Sequence, residues 1–277
     1  MTENGTRSSA LKRQIWSASF GSASFGESPI IGTAIHDGHI LRDDLVTNIA
    51  LSEEERLYEE DPFTGEMVGG LTNRIVGHRS RFEIDLNRAK EAAIYLTPEQ
   101  SWGLKVWHER PADAAISTSL SLHDDYYAML AAFLDRIEHR YGRFILLDVH
   151  SYNHRREGAD GPATPQEKAP DINIGTISMD RDGWAFVVDA VMEHFASANI
   201  GGRKLDVREN IAFQGRGEQT RFVHERYPET GCAVAIEFKK IFMDEWTGEP
   251  DRRVIADIRR TMIDLEALLE RLLREHQ

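Results

Sequence analysis

A chain of 277 residues is long enough to bury one sizeable core, and 41% hydrophobic with 29% charged residues is the balance of a globular protein rather than a fibrous or disordered one. A formal charge of −13 argues against nucleic acid as a partner, because gripping phosphates needs a basic face. The single cysteine, Cys232, excludes an intrachain disulfide and a thiolate cluster, and no apolar run approaches the roughly 20 residues that span a bilayer, so a cytoplasmic protein without a membrane partner is expected.

Residues 1–28 lack periodicity and are read as an N-terminal arm, loose or pairing with a sheet edge. Residues 29–277 are expected to form a single domain, since no linker is long enough to divide them. The run PIIGTAI (29–35) predicts a buried strand that empties into the polar HDGHILRDD. An acidic segment, SEEERLYEEDPFTGE, follows, and RIVGHRSRFEIDLNR (74–88) offers a second strand ending in charge. Tyr126, Met129, Leu130, Phe133, Leu134, Ile137 and Tyr141 recur at helical spacing, with Gly142 suited to end that helix, and the helix feeds the apolar strand RFILLDVH.

The alternation continues. Residues 155–171 are rich in Pro, Gly and charge and read as a long functional surface loop, GWAFVVDAVMEHFAS as a helix, GCAVAIEF as a buried strand, and residues 252–277 as a long helix. A helix followed by a strand without polar alternation marks a parallel strand covered on both faces. The expected class is α/β, with a mixed, mostly parallel sheet sandwiched between helices.

In such sheets ligands bind beyond the carboxyl ends of the strands. Four polar places fall there in this reading: His36–His39, Asp85–Arg88, Asp148–His154 and Glu237–Lys240. Imidazoles and carboxylates without thiols suit a borderline cation such as zinc with one open position. His36 and His150, on separate strands, are the first two candidate ligands, and Glu60 or Asp61, ahead of His39, supplies the third. Glu237, a carboxylate ending an apolar strand, suits proton transfer. Asn87 and Arg88 suit a substrate carboxylate, because guanidinium grips carboxylate with two parallel hydrogen bonds. Ser151 and Tyr152, just past His150, are expected to face the substrate.

Taken together, SRFEIDLNR, DVHSYNHR, PDINIGT and AIEFKK resemble the N-formylglutamate amidohydrolase family over nearly the whole chain from Pro29 to Phe242. DLNR and DVHSY are also similar to zinc carboxypeptidases. The resemblance implies a zinc-carboxypeptidase-like (phosphorylase/hydrolase-like) fold and one zinc ion held partly by His36 and His150. It further implies Glu237 as general base and acid, Asn87 with Arg88 on the substrate carboxylate, and Arg79, Arg81 or Arg88 near the oxyanion. Carboxypeptidases carry glutamate three residues after the first histidine, where this chain has His39. The expected activity is hydrolysis of a linear amide, removing a formyl or other small acyl group from an acidic N-acyl amino acid. A metallocarboxypeptidase or deacylase of other N-acyl amino acids or short peptides, and a non-catalytic binder of acidic ligands, are the rival readings.

Overall fold

The computed structural model describes residues 14–276, so residues 1–13 of the expected arm lie outside the described residues. The chain opens with β1 (Gln14–Ser17), β2 (Gly21–Phe25) and β3 (Ile30–Ala34), then runs through three short helices, α1 (Asp43–Val46), α2 (Glu53–Glu59) and α3 (Thr64–Val68), to β4 (Asn73–Gly77). The long helix α4 (Asp113–Tyr141) leads into β5 (Phe144–Tyr152), followed by β6 (Ile172–Gly175), α5 (Ala185–Ser197), β7 (Val207–Glu209), α6 (Glu218–Arg226), β8 (Gly231–Lys239) and α7 (Arg252–Glu275).

The eight described strands form one sheet in the order β1-β2-β4-β3-β5-β8-β6-β7. Parallel pairs β3/β4, β3/β5 and β5/β8 make its centre, and β6/β7 is also parallel. The antiparallel β1–β2 hairpin extends one edge through β4, and β6 runs antiparallel to β8. The sheet is therefore mixed and mostly parallel, with helices on both faces.

Local chemistry explains several boundaries. Ser52 and Glu55 form a reciprocal capping box that starts α2 inside the acidic segment, so that segment is a helix rather than only a solvated stretch. Asp251 accepts from the amides of Arg253 and Val254 to start α7. Gly142 ends α4 with φ of 76°, a conformation costly for residues bearing a Cβ. The strand expected in 74–88 covers only its beginning. After Gly77 the chain folds into turns, with the amides of Glu83 and Ile84 bonded to the Ser80 carbonyl, and Asp85–Arg88 therefore sits well beyond a strand end.

Side-chain alternation along β5 divides the core. Ile145, Leu147 and Val149 pack with Val188, Val191 and Phe195 of α5 and with Ile258, Leu265 and Leu269 of α7. Phe144 and Leu146 face Tyr126, Leu130 and Phe133 of α4 and Val223 of α6. By the period of two, Asp148 and His150 lie on that second face, at the carboxyl end of the strand. Leu265 has no exposed surface. Leu265→Ala is expected to cost about 2–5 kcal/mol through lost burial and a residual cavity, read as a lower urea midpoint with an unchanged metal content. No helix among the described residues is long and apolar enough to cross a membrane.

Candidate active site

Three polar side chains converge because three backbone segments end together. His36 follows β3 by two residues, His150 lies near the end of β5, and the Asp61 amide bonds to the His36 carbonyl at 3.0 Å, which pins the turn after α2 against the end of β3. Asp61 Oδ2 is 3.4 Å from His36 Nδ1 and 3.1 Å from His150 Nδ1, and the two rings are 4.9 Å apart between centroids. All three residues are buried, and one ligand atom from each lies within 4.8 Å of the others.

The opposite ring nitrogens are also accounted for. His36 Nε2 meets Asp85 Oδ1 at 2.7 Å and His150 Nε2 meets Asp148 Oδ1 at 3.0 Å. A histidine that donates from Nε2 to a carboxylate presents an unprotonated Nδ1, which is the tautomer a metal requires. His36 Nδ1 is correspondingly buried with no hydrogen-bond partner. Tetrahedral zinc with ligands at roughly 2.0–2.1 Å sets neighbouring ligand atoms about 3.3 Å apart, close to the spacing found around Asp61 Oδ2. The residues present fit a divalent cation with three protein ligands.

Both supporting aspartates are locked in turn. Asp85 accepts from the Asn87 amide at 2.9 Å, from Arg81 Nη2 at 3.0 Å and from the Tyr95 hydroxyl. Burial alone would raise its pKa, but the facing His36 ring and the Arg81 guanidinium outweigh this and hold it well below the carboxylate range. Asp148 accepts from Thr33 Oγ1 at 3.2 Å and from the Gln219 amide, whose carbonyl takes the Tyr126 hydroxyl. Asp61 behaves likewise: burial raises its pKa, yet the His150 and His36 rings that face it hold it well below the ordinary value.

Glu237 stands opposite His150 in the β5/β8 register, on the face of β8 that also carries Ala233 and Ala235. Burial pushes its pKa up to about 8, with His150 opposing and Asp61 and Asp148 reinforcing. A cavity of about 140 Å³ is lined by Glu237, Asp61, His36, His150, Arg81 and Asn87, among others. It shares Glu59, Trp102 and Arg156 with a wider outer cleft, which makes that cleft its approach from solvent.

Of the residues singled out in the sequence, His36, His150, Asp61, Glu237, Asn87, Arg81, Ser151 and Tyr152 all line this cavity. Ser151 Oγ also donates to Asp61 Oδ1 at 3.2 Å. Glu60 does not join the group: its carboxylate is 2.5 Å from His39 Nδ1 and accepts from the Ser80 hydroxyl, because adjacent residues in the extended chain point to opposite sides. His39 is thereby turned away as well. Arg88 stacks 4.5 Å over the Tyr95 ring, with Nε 3.6 Å from Asp85, and does not line the cavity. Gln219, Thr33 and Tyr95 were not singled out, and neutral residues on distant elements give no local signal for such a role. Gly217, whose Cβ would fall 2.2 Å from Asn87 Oδ1, lets the start of α6 approach closely enough to place Gln219.

The fold is shared by solved structures. An N-formylglutamate amidohydrolase from Ralstonia eutropha JMP134 superposes with a TM-score of 0.74 at 17% identity, covering 94% of this chain and 100% of that one. A gene product of Agrobacterium tumefaciens gives 0.55 at 15% identity, with 90% of each chain covered. A metallo-carboxypeptidase from Burkholderia cenocepacia is matched more loosely, with a TM-score of 0.37 at 12% identity over 90% of this chain and 60% of that one. No match is found among curated proteins. The model of one family of amide hydrolases spans residues 28–243, and the chain thus belongs to the N-formylglutamate amidohydrolase family.

Proposed function

We propose that this protein is a zinc-dependent amide hydrolase that removes a formyl or comparably small acyl group from an acidic N-acyl amino acid such as N-formylglutamate. The observation that carries this reading is the convergence of His36 Nδ1, His150 Nδ1 and Asp61 Oδ2 beside a cavity that Glu237 also lines. A zinc ion at these three residues would supply Lewis acidity, polarising an amide carbonyl and making water more acidic.

The chain's own groups then divide the work. Glu237, in its carboxylate form, takes a proton from the attacking water as the new C–O bond forms, and returns it to the amide nitrogen as the C–N bond breaks. The products are a small carboxylic acid and the free amino acid. Arg81 is fixed by Asp85, the Glu59 carbonyl and the Tyr95 hydroxyl, with its guanidinium 4.8 Å from the Trp102 ring centroid. Those bonds use three of its five N–H groups, which leaves two for the substrate's developing oxyanion. The small cavity suits formyl, the smallest acyl group, and the lone buried Cys232 fits a reducing cytoplasm.

The test is a comparison of formyl-, acetyl- and succinyl-glutamate with a short peptide, on protein whose zinc content has been measured. Formylglutamate should be turned over fastest and the peptide not at all. Activity on the peptide or larger acyl groups, with none on any formyl substrate, would favour the carboxypeptidase or deacylase reading. Protein that takes up no zinc and hydrolyses nothing would be a binder.

A further inference from the structure

Three permanently or potentially cationic side chains other than histidine line the cavity: Arg81, Arg156 and Lys240. Two are already neutralised. Arg81 Nη2 lies 3.0 Å from Asp85 Oδ2, and Arg156 Nη1 lies 2.6 Å from Glu59 Oε1. Lys240 has no carboxylate within ion-pair distance among the described residues. Its ammonium donates only to neutral acceptors, the backbone carbonyls of Tyr58 at 2.6 Å and Glu60 at 2.9 Å, and the residue is 2% exposed. The preceding Lys239 offers a contrast: it pairs with Asp171 at 3.1 Å and is satisfied elsewhere by Gln166 and Ala169.

A buried charge without a counter-ion is costly, and such groups are ordinarily paired. An ammonium has three donors, and the two carbonyls use two of them, so one donor is unspent and no carboxylate is paired directly with the charge. We infer that Lys240 anchors a carboxylate of the substrate, the role that Arg88, outside the cavity, is not placed to fill. This inference rests on the functional reading above and names what selects an acidic amino acid. The carbonyls of Tyr58 and Glu60 close the C-terminal end of α2 and hold the ammonium in place, so the anchor is preorganised before substrate arrives. Burial brings the pKa of Lys240 down to about 8, and a bound carboxylate would favour the charged form.

The test uses zinc-loaded wild type with Lys240→Met, which removes the charge, and Lys240→Gln, which keeps a donor for the carbonyls. N-formylglutamate is compared with its side-chain amide and its α-carboxamide, and binding of L-glutamate is measured by calorimetry. Loss of one charge-assisted contact should raise KM for N-formylglutamate by about 10- to 100-fold with kcat nearly unchanged, and weaken L-glutamate binding in proportion. For one of the two amides, wild type and variants should have equal KM, which identifies the carboxylate held. Unchanged L-glutamate binding in a folded Lys240→Gln protein would overturn the anchor while leaving amide hydrolysis intact. Lys240-dependent binding of L-glutamate without hydrolysis of any formyl substrate would uphold the anchor and sink the proposed reaction instead. If neither variant folds, equal KM of wild type for all three substrates still overturns the inference, and a higher KM for one amide supports it.

Discussion

Glu237→Gln is expected to lower turnover by about 10²- to 10⁴-fold, the usual worth of a positioned acid or base, while zinc remains bound at full stoichiometry. Glutamine keeps the shape and the hydrogen-bonding oxygen but cannot hold the transferred proton. Glu237 is outside the His36–Asp61–His150 group, so metal content should not follow activity down. A second consequence concerns stability. The folded pKa of about 8 lies above the ordinary 4.5, so between these values the folded protein keeps a proton that the unfolded chain releases. Raising pH through that interval therefore favours unfolding. In chelator-treated wild type this should cost on the order of 3–5 kcal/mol between pH 4.5 and 8, and Gln at 237 should abolish that part of the pH dependence. Urea midpoints of the two metal-free proteins across that interval read the difference directly. Near-normal turnover in the variant would remove Glu237 from the proton path, and parallel pH profiles would remove the carboxylate's burial cost.

The α/β class, both central strands β5 and β8 and the long helices were legible because each is written as a run of its own period. FILLDVH and GCAVAIEF are apolar without alternation, as strands covered on both faces must be. The short β7 and the antiparallel return of β6 were not, since strands of three and four residues carry almost no pattern and direction is set by tertiary pairing. At the site, histidines at the carboxyl ends of apolar strands were legible from position alone. The choice between Glu60 and Asp61 was not. It depends on which of two adjacent carboxylates the turn after α2 aims inward, and that orientation is set by contacts with Ser80 and His39 and by the Asp61–His36 backbone bond. Arg88 looked like the carboxylate grip because guanidinium matches carboxylate geometry, yet the Tyr95 ring and Asp85 draw it off the cavity.

Asp61→Ala should release zinc from the protein, whereas Glu60→Ala should retain it, and this pair of neighbours separates the two carboxylates more sharply than any assay of wild type. Among the described residues Asp61 Oδ2 is the carboxylate oxygen that both Nδ1 atoms face, so its loss leaves two imidazoles, too few to hold an ion with an open position. Removing Glu60 instead strips His39 and Ser80 of a buried partner, an effect on stability rather than on the cation. Between these extremes, Asp85→Asn and Asp148→Asn keep every direct ligand but blunt the carboxylates that fix the histidine tautomers. Each should weaken zinc by about 10- to 100-fold. Equilibrium dialysis with zinc gives the affinities, and the rise of melting temperature with added zinc gives an independent readout, because a ligand stabilises only the state that binds it. That rise should be present in wild type and Glu60→Ala, displaced to higher zinc in the two asparagine variants, and absent in Asp61→Ala. Zinc retained by Asp61→Ala and lost from Glu60→Ala would transfer the third ligand to Glu60 and require the turn after α2 to adopt a different conformation when the ion is bound.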